Sequence, residues 1–231
     1  MAIYCVSDIH GEYQKFLQLL ETINFSENDT MYILGDMLDR GPQPLELIRD
    51  IMQRENVTAL AGNHELIAAI CLIPMLNLDS EMELSDIQFG NIISWCRDGG
   101  NTTHDQFVKL SKKERFEFLD WLTDLNVYYE LKIGDEEFVL VHTGFGDDFS
   151  PEKPLESYNS EEYLFSCVDY KKVYFPDKYL VTGHTPTQLI PENNKQAKIY
   201  RANRHIAIDC GCTFGGKLAA LCLETGEEFY V

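Results

Sequence analysis

The sequence predicts an α/β (α+β sandwich) fold, in which two packed, mixed β-sheets are flanked by helices. Three observations predict it: strand-like and helix-like segments alternate over the first seventy residues, the middle of the chain is helical, and short strand-like runs return afterwards. No linker rich in proline, glycine or serine separates the two halves. We therefore expect a single domain over residues 1–231, because this length suits one large domain.

The first third of the chain is typical of βαβ units on a parallel sheet. Apolar and β-branched runs predict strands over residues 3–7, 30–34 and 57–61. Helical patterns between and after these runs predict helices over residues 13–22, 44–54 and 66–72. Pro42 and Pro44 lie near the start of the second helix, where a missing N–H costs little.

The middle of the chain predicts a helical insertion over about residues 74–126. Residues 85–125 contain no strand-like run, and apolar residues recur there at helical spacings: Phe107, Leu110, Phe116, Leu119 and Leu122. Strand-like runs resume over residues 127–133, 138–141, 179–182, 205–208, 218–223 and 228–231. Residues 224–227 suit a hairpin turn between the last two strands.

Composition narrows the classes of partner. Apolar residues form 45% of the chain, which is ample for a core, and the formal net charge is -19. The electric field of a chain with this negative charge repels nucleic-acid backbones and anionic membranes, so we expect neither as a partner. Phosphorylated substrates are repelled as well unless cations lie in the site itself. Oligomeric state has no readable signal.

Cellular location is inferred from the N-terminus and the cysteines. The first residues show no basic region followed by a long apolar region and a cleavage site, so we expect no signal peptide. No run of about 18 apolar residues occurs. The seven cysteines lack C-x-x-C spacing and are expected to be reduced thiols in a cytoplasmic protein.

Polar residues with glycine neighbours follow five of the predicted strands. They are Asp8 and His10; Asp36, Asp39 and Arg40; Asn63 and His64; His142; and His184. The carboxyl ends of parallel strands meet along one crevice, which is where α/β sheets place their ligands. Strand alternation also places Asp8 and His10 on the same side. We therefore expect these side chains to lie close together.

This set of side chains favours a metal site. Imidazole, carboxylate and amide oxygen are ligands for Mn²⁺, Fe or Zn²⁺, and no thiolate is among them. With Asp8 and Asp36 as the only carboxylate ligands, two divalent ions keep a positive charge that attracts phosphate and acidifies a bridging water. Taken singly, Asp8 and Asn63 also suit helix caps, and Arg40 suits an ordinary surface cation. Five strand ends together favour the metal site.

The motifs also resemble a known family. They are Asp8-x-His10-Gly11, Gly35-Asp36-x-x-Asp39-Arg40-Gly41 and Gly62-Asn63-His64-Glu65, followed by His142 and Gly183-His184. In this order they resemble the phosphoprotein phosphatase branch of the calcineurin-like metallophosphoesterases, in its short bacterial and phage form, typified by bacteriophage lambda protein phosphatase. The resemblance implies the metallophosphoesterase β-sandwich fold and a pair of divalent ions, Mn²⁺ first, with Fe or Zn²⁺ as alternatives.

The resemblance also implies a role for each site residue. Asp8, His10 and Asp36 would hold the first metal. Asp36 would bridge to the second, which Asn63, His142 and His184 would complete. His64 would be the general acid, oriented by Asp39, and Arg40 would clamp the phosphoryl oxygens. Asn63 is a further phosphate-binding candidate.

The sequence departs from the family pattern at two places. A second phosphate-binding arginine is common between the last two metal histidines, but residues 143–183 contain none, and Cys167 occupies that place. Arg97, Lys171 or Lys172 would have to substitute for it. The segment Trp95-x-x-Asp98-Gly99-Gly100-x-x-Thr103 resembles a family element near the substrate cleft, with Asp98 where asparagine is usual.

Three functional hypotheses follow. The first is a metal-dependent phosphomonoester hydrolase, a serine/threonine protein phosphatase that acts on a phosphorylated protein or a small phosphate ester. The second is a symmetrical dinucleoside-tetraphosphate hydrolase; those relatives usually have longer chains and lack the equivalent of Asp39. The third is a non-catalytic, phosphoesterase-like binding scaffold. Substrate specificity is expected in the helical insertion and in the acidic loop over residues 146–162.

Overall fold

The computed structural model describes residues 1–76 and 84–231, so part of the predicted insertion over residues 74–126 lies outside the described residues. The strands are β1 (Ile3–Val6), β2 (Thr30–Leu34), β3 (Val57–Leu60), β4 (Tyr128–Ile133), β5 (Glu136–Val141), β6 (Lys178–Thr182), β7 (Tyr200–Ala202), β8 (His205–Ala207), β9 (Ala219–Cys222) and β10 (Glu228–Tyr230). The α-helices are α1 (Tyr13–Thr22), α2 (Pro44–Gln53), α3 (Asn63–Leu72), α4 (Asp86–Trp95), α5 (Asn101–Phe107), α6 (Lys112–Thr123) and α7 (Ser160–Phe165).

The strands form two five-stranded mixed sheets. The first has the order β10-β9-β1-β2-β3, and the second has the order β4-β5-β6-β8-β7. Strands β1, β2 and β3 are parallel, and β9 and β10 join them in antiparallel pairs. In the second sheet, β5, β6 and β8 are parallel, with β4 and β7 antiparallel at the edges. The fold class predicted from the sequence is confirmed.

Side-chain alternation in the central strands builds the layers. In β2, Tyr32 and Leu34 pack between the two sheets, whereas Met31 and Ile33 pack toward the helices. Successive side chains of a strand point to opposite faces, so a strand covered on both faces reads as one apolar run. In the second sheet, Leu140 faces the inter-sheet core, and its neighbours in β5 face the outer cluster around Phe145.

The predicted elements differ from the observed ones mainly at their ends. Helix α3 begins at Asn63 rather than at residue 66, because the loop after β3 turns directly into the helix. Strand β7 and helix α7 were missed, since both are short and lack a clear apolar period. Helices α4, α5 and α6 occupy the predicted insertion.

The expectation of a single domain over residues 1–231 stays a prediction. None of the described helices is long and apolar enough to cross a membrane.

Candidate active site

The site forms where loops from both sheets meet at one edge of the sandwich. The first sheet supplies the loops after β1, β2 and β3, and the second supplies the loops after β5 and β6. The backbone N–H of His184 donates to Asp8 Oδ2 at 2.9 Å, across 176 positions of sequence. The backbone N–H of His64 donates to Asp36 Oδ1 at 3.1 Å. Residues predicted at separate strand ends are therefore neighbours in space.

Many site residues have a left-handed backbone. Positive φ angles between 47° and 70° occur at Asp8, His10, Asp36, Asp39, Arg40 and His184. This region is sparsely populated by residues other than glycine, and such strain persists only where the surroundings enforce it. The structure also corrects the expectation that strand alternation places Asp8 and His10 on the same side. Strand β1 ends at Val6, so both residues lie in the turn that follows it.

Two glycines allow the carboxylates to approach the backbone. A Cβ atom on Gly62 would lie 2.2 Å from Asp36 Oδ1, and one on Gly183 would lie 2.3 Å from Asp8 Oδ2. Such distances are far below any real carbon–oxygen contact, so only glycine fits without a shift. The glycines of these motifs therefore serve the close approach of the two acidic residues.

Asp36 lies at the centre of the site. His10 Nε2 lies 3.6 Å from Asp36 Oδ2, and His142 Nε2 lies 3.3 Å from Asp36 Oδ1. In the part of the chain that the structure describes, two trios of ligand atoms lie within 4.8 Å of one another: His10, Asp36 and His64, and Asp36, His142 and His184. Asp36 is the member common to both, as a residue between two cations must be.

Asn63 adjoins the second trio, and Asp8 lies close to both Asp36 and the His184 backbone. Asn63 Oδ1 lies 3.0 Å from both His142 Nε2 and His184 Nδ1. Asp8 is 3% exposed and bonds to the His184 backbone, although the trios found among the described residues do not include it.

Backbone carbonyls orient two of the imidazoles. His10 Nδ1 lies 2.8 Å from the Leu38 carbonyl, and His142 Nδ1 lies 2.7 Å from the Leu34 carbonyl. A carbonyl only accepts, so each Nδ1 carries the proton and Nε2 is the nitrogen that faces Asp36. This is the arrangement that histidine ligands of metals adopt.

Burial and charge set the protonation of these groups. Burial lowers the pKa of His10 to about 3 and that of His184 to about 4, so both rings are neutral and offer a lone pair near pH 7. Burial also lowers the pKa of His142, but the charge and hydrogen bond of Asp36, the charge of Asp8 and the hydrogen bond to Leu34 together outweigh it and raise this pKa to about 10. Burial raises the pKa of Asp8 to about 7. A cation at His142 must therefore displace a proton.

His64 and Asp39 form a buried pair beside the trios. His64 Nδ1 donates to Asp39 Oδ2 at 2.6 Å, and its Nε2 lies 2.9 Å from Arg40 Nη2. Burial lowers the pKa of His64, but the charges of Asp36 and Asp39 outweigh it and raise the pKa overall. The ring is thus held in one orientation: Nε2 accepts from the Arg40 guanidinium in this arrangement and carries a proton of its own only in the charged form of the ring, which the carboxylates favour.

Two further side chains hold Asp39, and the sequence did not identify them as site residues. Trp95 Nε1 donates to Asp39 Oδ2 at 2.7 Å, and Thr103 Oγ1 donates to Asp39 Oδ1 at 2.6 Å. The Asp39 backbone N–H donates to the same threonine oxygen at 3.0 Å. The available signal was the segment from Trp95 to Thr103, which the sequence placed near the cleft without a role.

Glu65 is a third supporting residue that sequence reasoning missed. It is 1% exposed and accepts four backbone N–H groups, from Asp36, Met37, Leu38 and Gly62, at 2.7–3.1 Å. One carboxylate therefore ties the loop after β2 to the start of α3. Its signal was the Gly62-Asn63-His64-Glu65 motif, in which only the first three residues were assigned a place or role.

Arg40 is the cation that the structure brings to the site. Its Nη1 lies 2.6 Å from His10 Nε2, so a cation held by His10 would replace Arg40 as the partner of that nitrogen. Arg97 is exposed, and it does not line the cavity described below. Lys171 pairs with Glu192, and Lys172 lies over the aromatic rings of Phe149 and Tyr174.

A cavity of about 430 Å³ opens over the site. Its inner part is lined by the residues predicted from the motifs: Asp36, Arg40, Asn63, His64 and His184. Its outer part is lined by Asp98, Pro186, Gln188, Leu189 and Phe214. Among the described residues, the acidic loop over residues 146–162 contributes nothing to this lining, and its expected part in substrate specificity stays a prediction. That loop folds instead onto the apolar cluster around Phe145.

The donor set fits a pair of divalent cations. Imidazole nitrogens, carboxylate oxygens and one amide oxygen converge around a shared carboxylate, without a thiolate among them. Such a mixture suits Mn²⁺, Fe and Zn²⁺ and does not distinguish them.

Comparisons with known proteins agree with this geometry. The sequence profile of the calcineurin-like phosphoesterase family matches residues 1–217. A relative from Nitrosospira multiformis, named symmetrical bis(5'-nucleosyl)-tetraphosphatase, is 27% identical over an alignment of 288 positions, which covers 99% of this chain and 95% of the relative. In other relatives of that name the aligned part covers 38–49% of their length, so the chain spans less than half of those proteins.

Solved structures share the fold at low identity. A candidate diadenosine tetraphosphatase has a TM-score of 0.62 and 17% identity, over 99% of this chain and 92% of its own. A protein serine/threonine phosphatase from Saccharomyces cerevisiae has a TM-score of 0.58 and 14% identity, over 98% of this chain and 73% of its own. The likeness at these identities concerns the fold. On its sequence profile, which matches residues 1–217, the chain belongs to the calcineurin-like phosphoesterase family.

Proposed function

We propose that this chain hydrolyses symmetrical dinucleoside tetraphosphates with the help of two divalent cations. The observation that carries the hydrolytic part is the position of Asp36, which belongs to both ligand trios and lies 4.0 Å from the His64 ring. The substrate is supported by the names of the relatives, including one that aligns along 99% of the chain. This choice reverses the order of the two enzyme hypotheses that the sequence alone suggested.

The chain's own residues divide the work of the reaction. Asp8, His10 and Asp36 would hold one cation, and Asp36, Asn63, His142 and His184 would hold the other. When bound, the two cations supply positive charge and an acidified water for in-line attack at phosphorus. Arg40 binds the phosphoryl oxygens, because a guanidinium offers paired donors to developing charge.

His64 supplies the proton for the leaving group. Its Nε2 faces the cavity, and Asp39 accepts from Nδ1 at 2.6 Å, which fixes the ring and stabilises its charged form. Asp39 is completely buried, so this pair is screened from water. Proton donation matters most when the leaving oxygen is a poor leaving group.

The pair of His64 and Asp39 favours a second candidate function, the hydrolysis of phosphomonoesters such as phosphoserine. An alkoxide leaves with difficulty, and general acid catalysis contributes about 10²–10⁴-fold to such steps. The phosphate that leaves a dinucleoside tetraphosphate is a weak base and needs less help. The complete donor set argues against the third hypothesis, a non-catalytic scaffold.

The deciding experiment compares the two substrates on one preparation. Protein loaded with Mn²⁺ is offered diadenosine tetraphosphate and a phosphoserine peptide, and kcat/KM is measured for each. We expect a higher kcat/KM for the dinucleotide, with ADP as the sole nucleotide product. A higher value for the phosphopeptide would replace our proposal with the second candidate function.

The variant His64→Ala tests the mechanism on both substrates. We expect a loss of about 10²–10⁴-fold for the phosphoserine peptide and a smaller loss for the dinucleotide, because the two leaving groups differ in basicity. His104→Ala is the matched control, since His104 pairs with Asp105 and does not line the cavity. Equal losses for both substrates in His64→Ala would contradict the role of His64 as a proton donor.

A further inference from the structure

The outer wall of the cavity exposes two large apolar side chains. Phe214 is 60% exposed and Leu189 is 71% exposed, and both line the same cavity as Arg40 and His64. Single exposed apolar residues are common on proteins. Here two such side chains lie in one cavity of ligand size, beside the groups proposed to bind phosphate. They therefore indicate that the ligand has an apolar part.

Both side chains are presented by tight turns that brace each other. The backbone N–H of Phe214 donates to the Gly211 carbonyl at 2.9 Å, and that of Leu189 donates to the Pro186 carbonyl at 2.7 Å. The side chain of Gln188 joins the two turns, because its Nε2 donates to the Cys210 carbonyl at 3.1 Å. The wall is therefore held in place before any ligand binds, which lowers the entropic cost of binding.

Arg40 links this wall to the reaction centre. Its guanidinium carbon lies 4.9 Å from the centroid of the Phe214 ring, while its two terminal nitrogens reach His10 and His64. A phosphate bound by Arg40 therefore lies directly beside an aromatic ring. A ligand that fits both places has a flat aromatic group joined to a phosphate by a short linker, and a nucleotide has this chemistry.

We propose that Phe214 and Leu189 form a nucleobase subsite, which holds the base of a nucleotide whose phosphates lie at Arg40. This inference rests on the proposed function, since it names the part of the chain that recognises the nucleoside. Stacking on an aromatic face tolerates every base, because each base has a π-face. The subsite therefore selects nucleotides over simple phosphates without selecting one base.

Binding of non-hydrolysable probes tests the subsite without turnover. Protein loaded with Mn²⁺ is titrated by calorimetry with α,β-methylene-ADP and with methylenediphosphonate, which lacks the nucleoside. We expect Phe214→Ala to weaken α,β-methylene-ADP by about 10- to 100-fold, the range of one stacked base, and to change methylenediphosphonate by about twofold or less. Leu189→Ala should have the same sign and a smaller size.

The control is Phe116→Ala, which removes a phenylalanine that is 48% exposed on α6 and does not line the cavity. We expect it to bind both probes as the unchanged protein does. An equal loss for both probes in Phe214→Ala would overturn the proposal, because it would mean that the ring only positions Arg40.

The outcomes separate this inference from the proposed function. If the dinucleotide is hydrolysed but Phe214→Ala binds α,β-methylene-ADP normally, the subsite is wrong and the function stands. If the phosphopeptide is preferred but Phe214→Ala still weakens only the nucleotide probe, the subsite stands and the proposed substrate is wrong. An apolar peptide side chain as the occupant predicts no preference for the nucleotide probe, which would also overturn the proposal.

Discussion

Asp36 shows how much of the site depends on single side chains. Its carboxylate accepts from the His64 backbone N–H and lies within 3.6 Å of His10 and His142. The Asp36 backbone is left-handed, and the neighbouring Gly35 leaves no room for a Cβ atom. Burial favours its neutral form, but His142 and His64 outweigh burial and hold the pKa of Asp36 well below its usual value. It is therefore ionised where a cation needs it.

Asp98 places a negative charge in the cavity that is proposed to bind a polyphosphate. Its carboxylate is 64% exposed, lines the cavity and lies 3.8 Å from His64 Nε2, so it repels an incoming polyphosphate. We expect Asp98→Asn to lower the KM for diadenosine tetraphosphate by about two- to fivefold, the modest size of an exposed charge interaction. Steady-state kinetics at low and high salt measure the change, which should shrink with added salt.

The control for this substitution is Asp105→Asn, which makes the same charge change outside the cavity. Asp105 is 68% exposed and pairs with His104. An identical fall in KM in both variants would show that net charge, and not the position of Asp98, governs the effect.

At the scale of elements, the segment from α4 to α5 acts as a support for the pair of Asp39 and His64. A π-helical turn at Cys96–Gly100 joins the two helices, and the Arg40 backbone N–H donates to the Gly99 carbonyl at 2.9 Å. Gly100 lies against the face of the Trp95 indole, where a Cβ atom would approach to 2.3 Å. The segment therefore packs directly behind the loop after β2.

This arrangement makes Thr103 a positioning residue. Thr103→Val keeps the shape but removes the hydroxyl that bonds both the carboxylate and the backbone N–H of Asp39. We expect kcat for a phosphoserine peptide to fall by about 10-fold or more, with KM little changed, because a loosened carboxylate no longer holds His64 in line. Turnover of the dinucleotide should fall less.

Two variants test that explanation of Thr103. Thr103→Ser retains the hydroxyl and should restore most of the activity, whereas Thr102→Val changes a neighbouring threonine whose hydroxyl donates to the Gly99 carbonyl at 3.2 Å. A fall of the same size for both substrates in Thr103→Val would indicate general damage to the fold rather than loss of proton donation.

At the scale of the whole molecule, the site joins the two sheets. Asp8, Asp36 and Asn63 follow strands of the first sheet, whereas His142 and His184 follow strands of the second. The two sheets also share the core that contains Leu34, Leu60 and Val181. Cations bound at this edge would hold the carboxyl ends of both sheets together, so metal binding adds to the stability of the fold.

Removal of the metals should therefore lower the melting temperature. At a free metal concentration of 100 times Kd, binding contributes about 2.7 kcal/mol, which corresponds to a shift of roughly 5–10 °C for a chain of this size. Calorimetry with and without a chelator measures the shift. An unchanged melting temperature, in a sample shown by elemental analysis to contain metal, would contradict this coupling.

The variant Asp36→Asn locates the effect at the bridge. We expect it to lose both metals together and to show little shift on chelation, while Asp120→Asn, an exposed change on α6, behaves as the unchanged protein does. Loss of only one of the two metals would show that Asp36 does not bridge them.

The sequence by itself determined the layers and the chemistry of the strand ends. Apolar runs such as that in β2 and the helical period of α6 are local patterns, and burial on one or two faces imposes them directly. The glycines beside Asp36 and Asn63 are local signals as well. They were enough to identify the family, the fold class and the residues that converge around Asp36.

The tertiary structure alone decided which residues support those side chains and which shape the cavity. Thr103 bonds Asp39 across 64 positions, and Glu65 binds a loop almost 30 positions away. Phe214 and Leu189 are distant in sequence but line one cavity, and the Gln188 side chain bonds the chain just before the turn that carries Phe214. Such contacts leave no periodic signal, since they depend on how the chain turns after each strand, often through left-handed backbone angles that residue type alone does not predict.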